Sequence, residues 1–162
     1  MNQALRLEEQ LGQELRERSL TVCTAESCTG GLIAHRLTNV AGSSDYVIGG
    51  VVAYSNHVKS RLLRVRGHSL IDHGAVSVQV AVEMATGARQ LFGADFSVSV
   101  TGIAGPGGGS AEKPVGLTYI GLAGPDDLLT VERYVWEGDR EAVKDASANA
   151  ALELLIKYIT SY

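Results

Sequence analysis

Proline is scarce, three in 162 residues, which excludes a collagen-like or proline-rich disordered tract even though the nineteen glycines, about 12 %, exceed the usual share near 7 %. Cysteine is scarcer still. Cys23 and Cys28 are too few for a disulfide framework, and nothing points to an oxidising compartment. Their spacing, with no second Cys or His pair, does not make a metal site either. Positive charge is not in excess: 14 Lys and Arg stand against 18 Asp and Glu, for a net charge of −4. That argues against a nucleic-acid binder, which needs clustered cations against phosphate. The one basic run (Lys59, Arg61, Arg64, Arg66) reads as a solvated helix face. No stretch approaches the roughly 18 apolar residues of a membrane span, and Met1 to Arg6 lacks the apolar middle of a secretory signal. These absences leave a soluble cytoplasmic protein with no nucleic-acid or membrane partner.

What is present is an ordinary globular balance, 45 % hydrophobic and 20 % charged. No repeat, linker or low-complexity tract divides the chain, so residues 1–162 are read as one domain, long enough to bury about two thirds of its unfolded surface. Leu7, Leu11 and Leu15 predict an amphipathic helix over 2–18. Leu20–Ala25 reads as a short strand, followed by the small-residue turn Glu26–Gly31 and a helix over Leu32–Asn39. Gly42–Asp45 breaks the chain before a strand, Tyr46–Tyr54, and a helix, Asn56–Leu63. Ser77 caps a helix over Val78–Phe92, and Phe96–Thr101 is a buried-type strand. A glycine-rich loop, Gly102–Lys113, leads to strands Val115–Ala123 and Leu128–Trp136, joined as a hairpin by Gly124-Pro125-Asp126-Asp127. Asp139 caps a last helix, Arg140–Tyr158, with Ala146, Ala150, Leu154 and Tyr158 marking part of its inward face. The pattern predicts an α/β protein, a three-layer α/β/α sandwich around a mixed, mostly parallel sheet with a late hairpin.

Two loops invite chemistry. Gly105-Pro106-Gly107-Gly108-Gly109-Ser110 fails as a dinucleotide fingerprint: Ser110 stands where Gly or Ala is needed, and a strand follows it instead of a helix. No Gly-Lys-Ser/Thr closes it as a Walker loop. It is either a plain surface loop or a cradle whose backbone N–H groups approach a small phosphate, and Thr101-Gly102 at a strand end favours the second. The turn Ser27-Cys28-Thr29-Gly30-Gly31 sets a hydroxyl and free N–H groups before a helix. It suits an anion or oxyanion, or an ordinary N-cap made by Ser27 or Thr29. Cys28 as nucleophile would gain from a nearby helix N-terminus, but His35, His57, His68 and His73 show no signature of a partner. Lys59 is either a solvated charge or, if buried beside Ser27, an amine whose pKa falls far enough for it to act as a base. Arg140 sits in a first helical turn, where the dipole prefers an acid; phosphate binding would explain it.

Taken in order, the motifs Ala25–Gly31, Ala41–Ser44, Tyr54-Ser55-Asn56 with Lys59, His73–Ser77, Gly102–Pro106 with Gly108-Gly109, Glu112–Gly116 and Gly138–Glu141 resemble the CinA C-terminal family of nicotinamide-nucleotide amidohydrolases, over about residues 4–160. The resemblance implies an α/β/α domain that hydrolyses the carboxamide of nicotinamide mononucleotide to nicotinate mononucleotide and ammonia, without a cofactor, in a homodimer. It also implies the stand-alone form, lacking the molybdopterin-binding-like domain of longer relatives. Carried onto this chain, it points to Ser27 as nucleophile, Lys59 as base and Tyr54 as the group that orients Lys59 or relays its proton. Thr29, Gly30 and Gly31 would supply oxyanion N–H groups. Asn56, Thr101, Gly102 and Gly108 would line the nucleotide pocket, and Arg140 would pair with the 5′-phosphate. The alternatives are an amidase of another nucleotide amide, or a non-catalytic nucleotide-binding or competence-linked protein on the same scaffold.

Overall fold

Leucines spaced by four start the first helix later than residue 2. The computed structural model describes residues 4–162, so the predicted helical positions Asn2 and Gln3 lie outside the described residues. Helix α1 spans Leu7–Arg18: Arg6 is the N-cap, and its N–H donates to Glu9 at 2.9 Å in a capping box that fixes this start. There follow β1 (Val22–Glu26), α2 (Leu32–Thr38), a single 3-10 turn (Ser43–Asp45), β2 (Val47–Val52), α3 (Asn56–Leu63), α4 (Gly67–His73), α5 (Val78–Phe92), β3 (Phe96–Gly102), β4 (Leu117–Ala123), β5 (Leu129–Val135) and α6 (Arg140–Thr160).

The strands form one sheet in the order β2-β1-β3-β4-β5. β1 pairs in parallel with β2 and β3, and the β3–β4 and β4–β5 pairs are antiparallel, so only β4 runs against the rest. The late hairpin turns at Asp126 and Asp127, both at positive φ, the mirror-image turn whose twist suits paired strands.

Period-two alternation distributes the strand side chains between two helical layers. Val22 on β1 and Phe96, Val98 and Val100 on β3 pack with Leu11 of α1, Ile33 of α2 and Leu155 of α6. Cys23 and Ala25 face the other way, against Val80, Met84 and Ala88 of α5. On that second face β3 presents hydroxyls, and each finds a carbonyl: Ser97 Oγ donates to Ala85 O and Ser99 Oγ to Ala81 O, both at 2.6 Å, and Thr101 Oγ1 donates to Ala75 O at 2.8 Å. Polar atoms in a buried strand are thereby satisfied. α3 also lies unusually close to α5. A Cβ on Gly87 would fall 1.8 Å from the Leu63 carbonyl oxygen, so no larger residue fits there.

Two features go beyond what the sequence predicts. Helix α4 was not foreseen, because what holds its start lies on α5: Arg66 N–H and Ser69 Oγ both donate to the Glu83 carboxylate, at 2.9 and 2.7 Å. In α6 the centre of the buried face runs through Val143, Ser147, Ala151, Leu155 and Ile159. That line lies one position along from the predicted stripe, of which Ala150 and Leu154 are buried beside it while Ala146 and Tyr158 are half-buried at its edge. No described helix is long and apolar enough to cross a membrane.

Candidate active site

In an open sheet with parallel strands, ligands collect beyond the carboxyl ends where the winding changes direction. Here β1 is flanked by β2 on one side and β3 on the other, so the switch lies between β1 and β3. A cleft of about 290 Å³ opens there. Ser27 and Cys28 enter it from the end of β1, Tyr54, Asn56 and Lys59 from the segment after β2, and Thr101 and Gly102 from the end of β3. The glycine loop contributes Gly105, Gly107 and Gly108, and Arg140 comes from the start of α6. Residues spread from 27 to 140 therefore meet at one sheet edge.

Ser27 is fixed by carrying β1–β3 pairing one residue further: its N–H donates to Val100 O at 2.9 Å. Lys59 is placed by α3, whose N-cap Ser55 accepts the Val58 N–H at 3.2 Å. One turn into the helix, the lysine side chain points inward and is 2 % exposed. Its Nζ donates to Ser27 Oγ at 3.0 Å and to the Ala53 carbonyl at 2.9 Å. No carboxylate is bonded to this amine among the described residues, and burial lowers its pKa from the ordinary 10.5.

Cys28 also lines the cleft, but burial pushes its thiol up to about 11. The expectation that a helix N-terminus would activate it fails for a visible reason. α2 begins only at Leu32, and its first N–H groups are already taken, with Ile33 and Ala34 donating to the Glu26 carboxylate at 2.9 and 3.0 Å. The same capture changes the oxyanion expectation. Gly30 N–H donates to Ser27 O, and Leu32 N–H to Thr29 O. The N–H groups of Cys28 and Thr29, directly after the serine, have no acceptor among the described residues.

The remaining expected residues divide. Asn56, Thr101, Gly102 and Gly108 line the cleft. The side of the turn carrying Thr29, Gly30 and Gly31 does not: Thr29 is buried, Gly30 is exposed, and Gly31 is the N-cap of α2 at φ +98°. Tyr54 lines the cleft, yet its hydroxyl is not on Lys59. It accepts from Arg140 Nη2 at 2.9 Å, while Arg140 Nη1 donates to Gly105 O at 2.7 Å. Tyr54 thus orients the guanidinium instead of the amine. Asp139 seats Arg140 by accepting the Ala142 N–H at 2.9 Å as the N-cap of α6. The sequence reading gave no role to Glu26, Ala53 O or Gly105 O. A carboxylate ending a wholly buried strand was the available signal for Glu26, whereas the two carbonyls leave none.

Comparison with known proteins bears on this geometry. The CinA C-terminal domain family model matches residues 4–159. The chain is 46 % identical over 154 residues to the nicotinamide-nucleotide amidohydrolase PncC of Escherichia coli K12, covering 95 % of this chain and 93 % of that protein. It is 53 % identical over 154 residues to a CinA-like protein of Chlorobaculum tepidum, covering 93 % of this chain but 36 % of that one. Of several such longer relatives, the chain spans little more than a third of the length. Among solved structures, the competence/damage inducible protein CihA of Agrobacterium tumefaciens superposes with a TM-score of 0.89 at 42 % identity, over 97 % of this chain and 98 % of that one. A CinA superfamily protein of Klebsiella pneumoniae gives 0.92 at 33 % identity, over 96 % and 97 %.

Proposed function

The chain belongs to the CinA C-terminal domain family, and from that premise we propose that it is an amidohydrolase converting nicotinamide mononucleotide to nicotinate mononucleotide and ammonia, with Ser27 as nucleophile and Lys59 as its base. One observation carries the reading: a buried lysine amine, free of any carboxylate bond among the described residues, lies 3.0 Å from the serine hydroxyl. A structural lysine would be paired or solvated. An amine held by a carbonyl and a hydroxyl in an apolar setting is instead inclined to lose its proton, which a general base requires.

In the proposed reaction the neutral Lys59 amine takes the Ser27 proton as Oγ attacks the carboxamide carbon. The carbonyl electrons move onto oxygen, where the Cys28 N–H group, directly after the serine and without an acceptor among the described residues, stabilises the anion. Collapse breaks the C–N bond, and protonated Lys59 delivers its proton to the departing ammonia. A water molecule, deprotonated in turn by Lys59, then cleaves the ester to release the carboxylate and regenerate the serine. Arg140 holds the 5′-phosphate, and Thr101, Gly102, Gly108 and Asn56 shape the nucleotide pocket. Cys23 and Cys28, both free thiols, suit a reducing cytoplasm, and a homodimer is the assembly that light scattering should find.

Ammonia release from nicotinamide mononucleotide tests the reading directly. Ser27→Ala and Lys59→Ala should each lower kcat by roughly a thousandfold or more, as loss of a nucleophile or its base does elsewhere. Near-normal turnover by Ser27→Ala would remove the nucleophile. An inactive wild type that releases ammonia from another nucleotide amide would move the substrate and keep the dyad.

A further inference from the structure

Among the described residues, the cleft lining carries two cationic side chains, Lys59 and Arg140, and no carboxylate. The substrate proposed above is a zwitterion, in which an anionic phosphate and a positively charged pyridinium ring bracket the ribose. Arg140 answers the phosphate, and no charged group answers the ring. The acid nearest the nucleophile in sequence, Glu26, is 1 % exposed and has both oxygens committed to Ile33 and Ala34 N–H. A cation entering this cleft therefore needs a partner of another kind.

Among the described residues, Tyr54 is the one aromatic side chain in the lining. It is 61 % exposed, and it takes part in neither aromatic pair found among the described residues, Phe96–Tyr162 or Tyr134–Trp136. Its hydroxyl is tethered to Arg140 at 2.9 Å, so the ring is held at the cleft mouth with surface left to offer. The face of a phenol is the negative end of its quadrupole and attracts a cation placed over it. Building on the amidohydrolase reading, we infer that the Tyr54 ring face seats the pyridinium cation, and so makes the site selective for a cationic nicotinamide ring over an uncharged aryl carboxamide of the same shape. The tether gives the arrangement a second use. One side chain links the group that receives the ring to the group that receives the phosphate, fixing the span between the two ends of the ligand.

The test is a pair of ligands matched in shape and different in charge: nicotinamide mononucleotide and benzamide riboside 5′-phosphate, whose ring is planar, aromatic and neutral. Both are titrated by calorimetry into Ser27→Ala protein, where no turnover intervenes. The cationic ligand should bind roughly five- to thirtyfold more tightly, the range of a partly to well desolvated cation–π contact. Adding Tyr54→Phe or Tyr54→Trp should keep most of that preference, because the ring remains. Adding Tyr54→Leu should reduce it to within about twofold. A preference that survives Tyr54→Leu, or is absent from the outset, overturns the inference. Ammonia release by the wild type is read separately, so a protein that binds with the expected preference but releases nothing defeats the proposed reaction and not the ring seat. The exposed position of Tyr54 keeps these variants clear of the core.

Discussion

The Glu26 carboxylate accepts the Ile33 N–H at 2.9 Å, joining the last residue of β1 to the first turn of α2 across the turn that holds Ser27. Its other oxygen takes the Ala34 N–H, so an anion of the protein itself occupies the helix N-terminus, where the macrodipole favours it. Glu26→Ala should destabilise the fold by about 3 kcal/mol, because two donors lose their acceptor in a buried place. Glu26→Gln keeps one acceptor oxygen and should cost about half as much. Urea unfolding midpoints at neutral pH measure both. Equal midpoints for wild type and Glu26→Ala would mean that water replaces the carboxylate without loss.

Lys59 predicts a pH dependence with a definite sign. Burial lowers its pKa from 10.5, and the base must be neutral, so kcat/KM should rise with pH and level off at an inflection below the ordinary lysine range. Stability follows by linkage. Between the folded pKa and 10.5 the unfolded chain binds the proton and the folded one does not, so stability rises with pH across that window and is flat below it. Lys59→Met lacks this slope. Unfolding of both proteins at pH 7 and pH 9.5 should show the balance shifting toward wild type at the higher pH, whatever their difference at neutrality. A shift toward Lys59→Met would contradict a depressed pKa.

Much of this was legible in the chain, for reasons that also explain the exceptions. The helices capped by their own neighbours, α3 from Ser55, α5 from Ser77 and α6 from Asp139, begin where their sequences predict. α4 has no such local cap and takes its acceptor from Glu83, fourteen residues beyond Ser69, so its existence is a tertiary fact. Ser147 hid the centre of the α6 face, because a hydroxyl satisfied by its own helix at Val143 O reads as polar in sequence while sitting fully buried. The meeting of Ser27 with Lys59 was expected from the family resemblance, and the structure brings them together. The partner of Tyr54 was not. It lies five positions before Lys59, yet its hydroxyl bonds to a guanidinium 86 positions away, and no local pattern encodes such a pairing.

Gly102 links packing to the cleft. A Cβ there would lie 2.7 Å from Thr118 Oγ1, 2.8 Å from the Leu117 carbonyl oxygen and 3.1 Å from Cys28 Sγ. The carbonyl belongs to the sheet and cannot give way, so the strand end must move, and Cys28 with it. Gly102→Ala should cost about 1–3 kcal/mol in stability and lower kcat more than it raises KM, since the displaced group is the turn that carries the proposed nucleophile. Thermal unfolding with steady-state kinetics checks both, and an unchanged melting temperature would show that the strand end has room.

Arg140 separates geometry from charge. Its two terminal nitrogens donate to Gly105 O and Tyr54 Oη, a fork that spans the glycine loop and the segment after β2. A lysine supplies a point charge of the same sign but cannot reproduce two fixed, divergent donors. If the residue served only as a positive charge for phosphate, Arg140→Lys would retain affinity and Arg140→Ala would lose it. With the fork also positioning the loop and the tyrosine, both variants should raise KM for the mononucleotide by roughly tenfold or more, with kcat reduced far less. The corresponding nucleoside, which has no phosphate, distinguishes the two contributions. Arg140→Ala should still weaken its use through the freed loop and ring, and a nucleoside KM that does not change would restrict Arg140 to the phosphate alone.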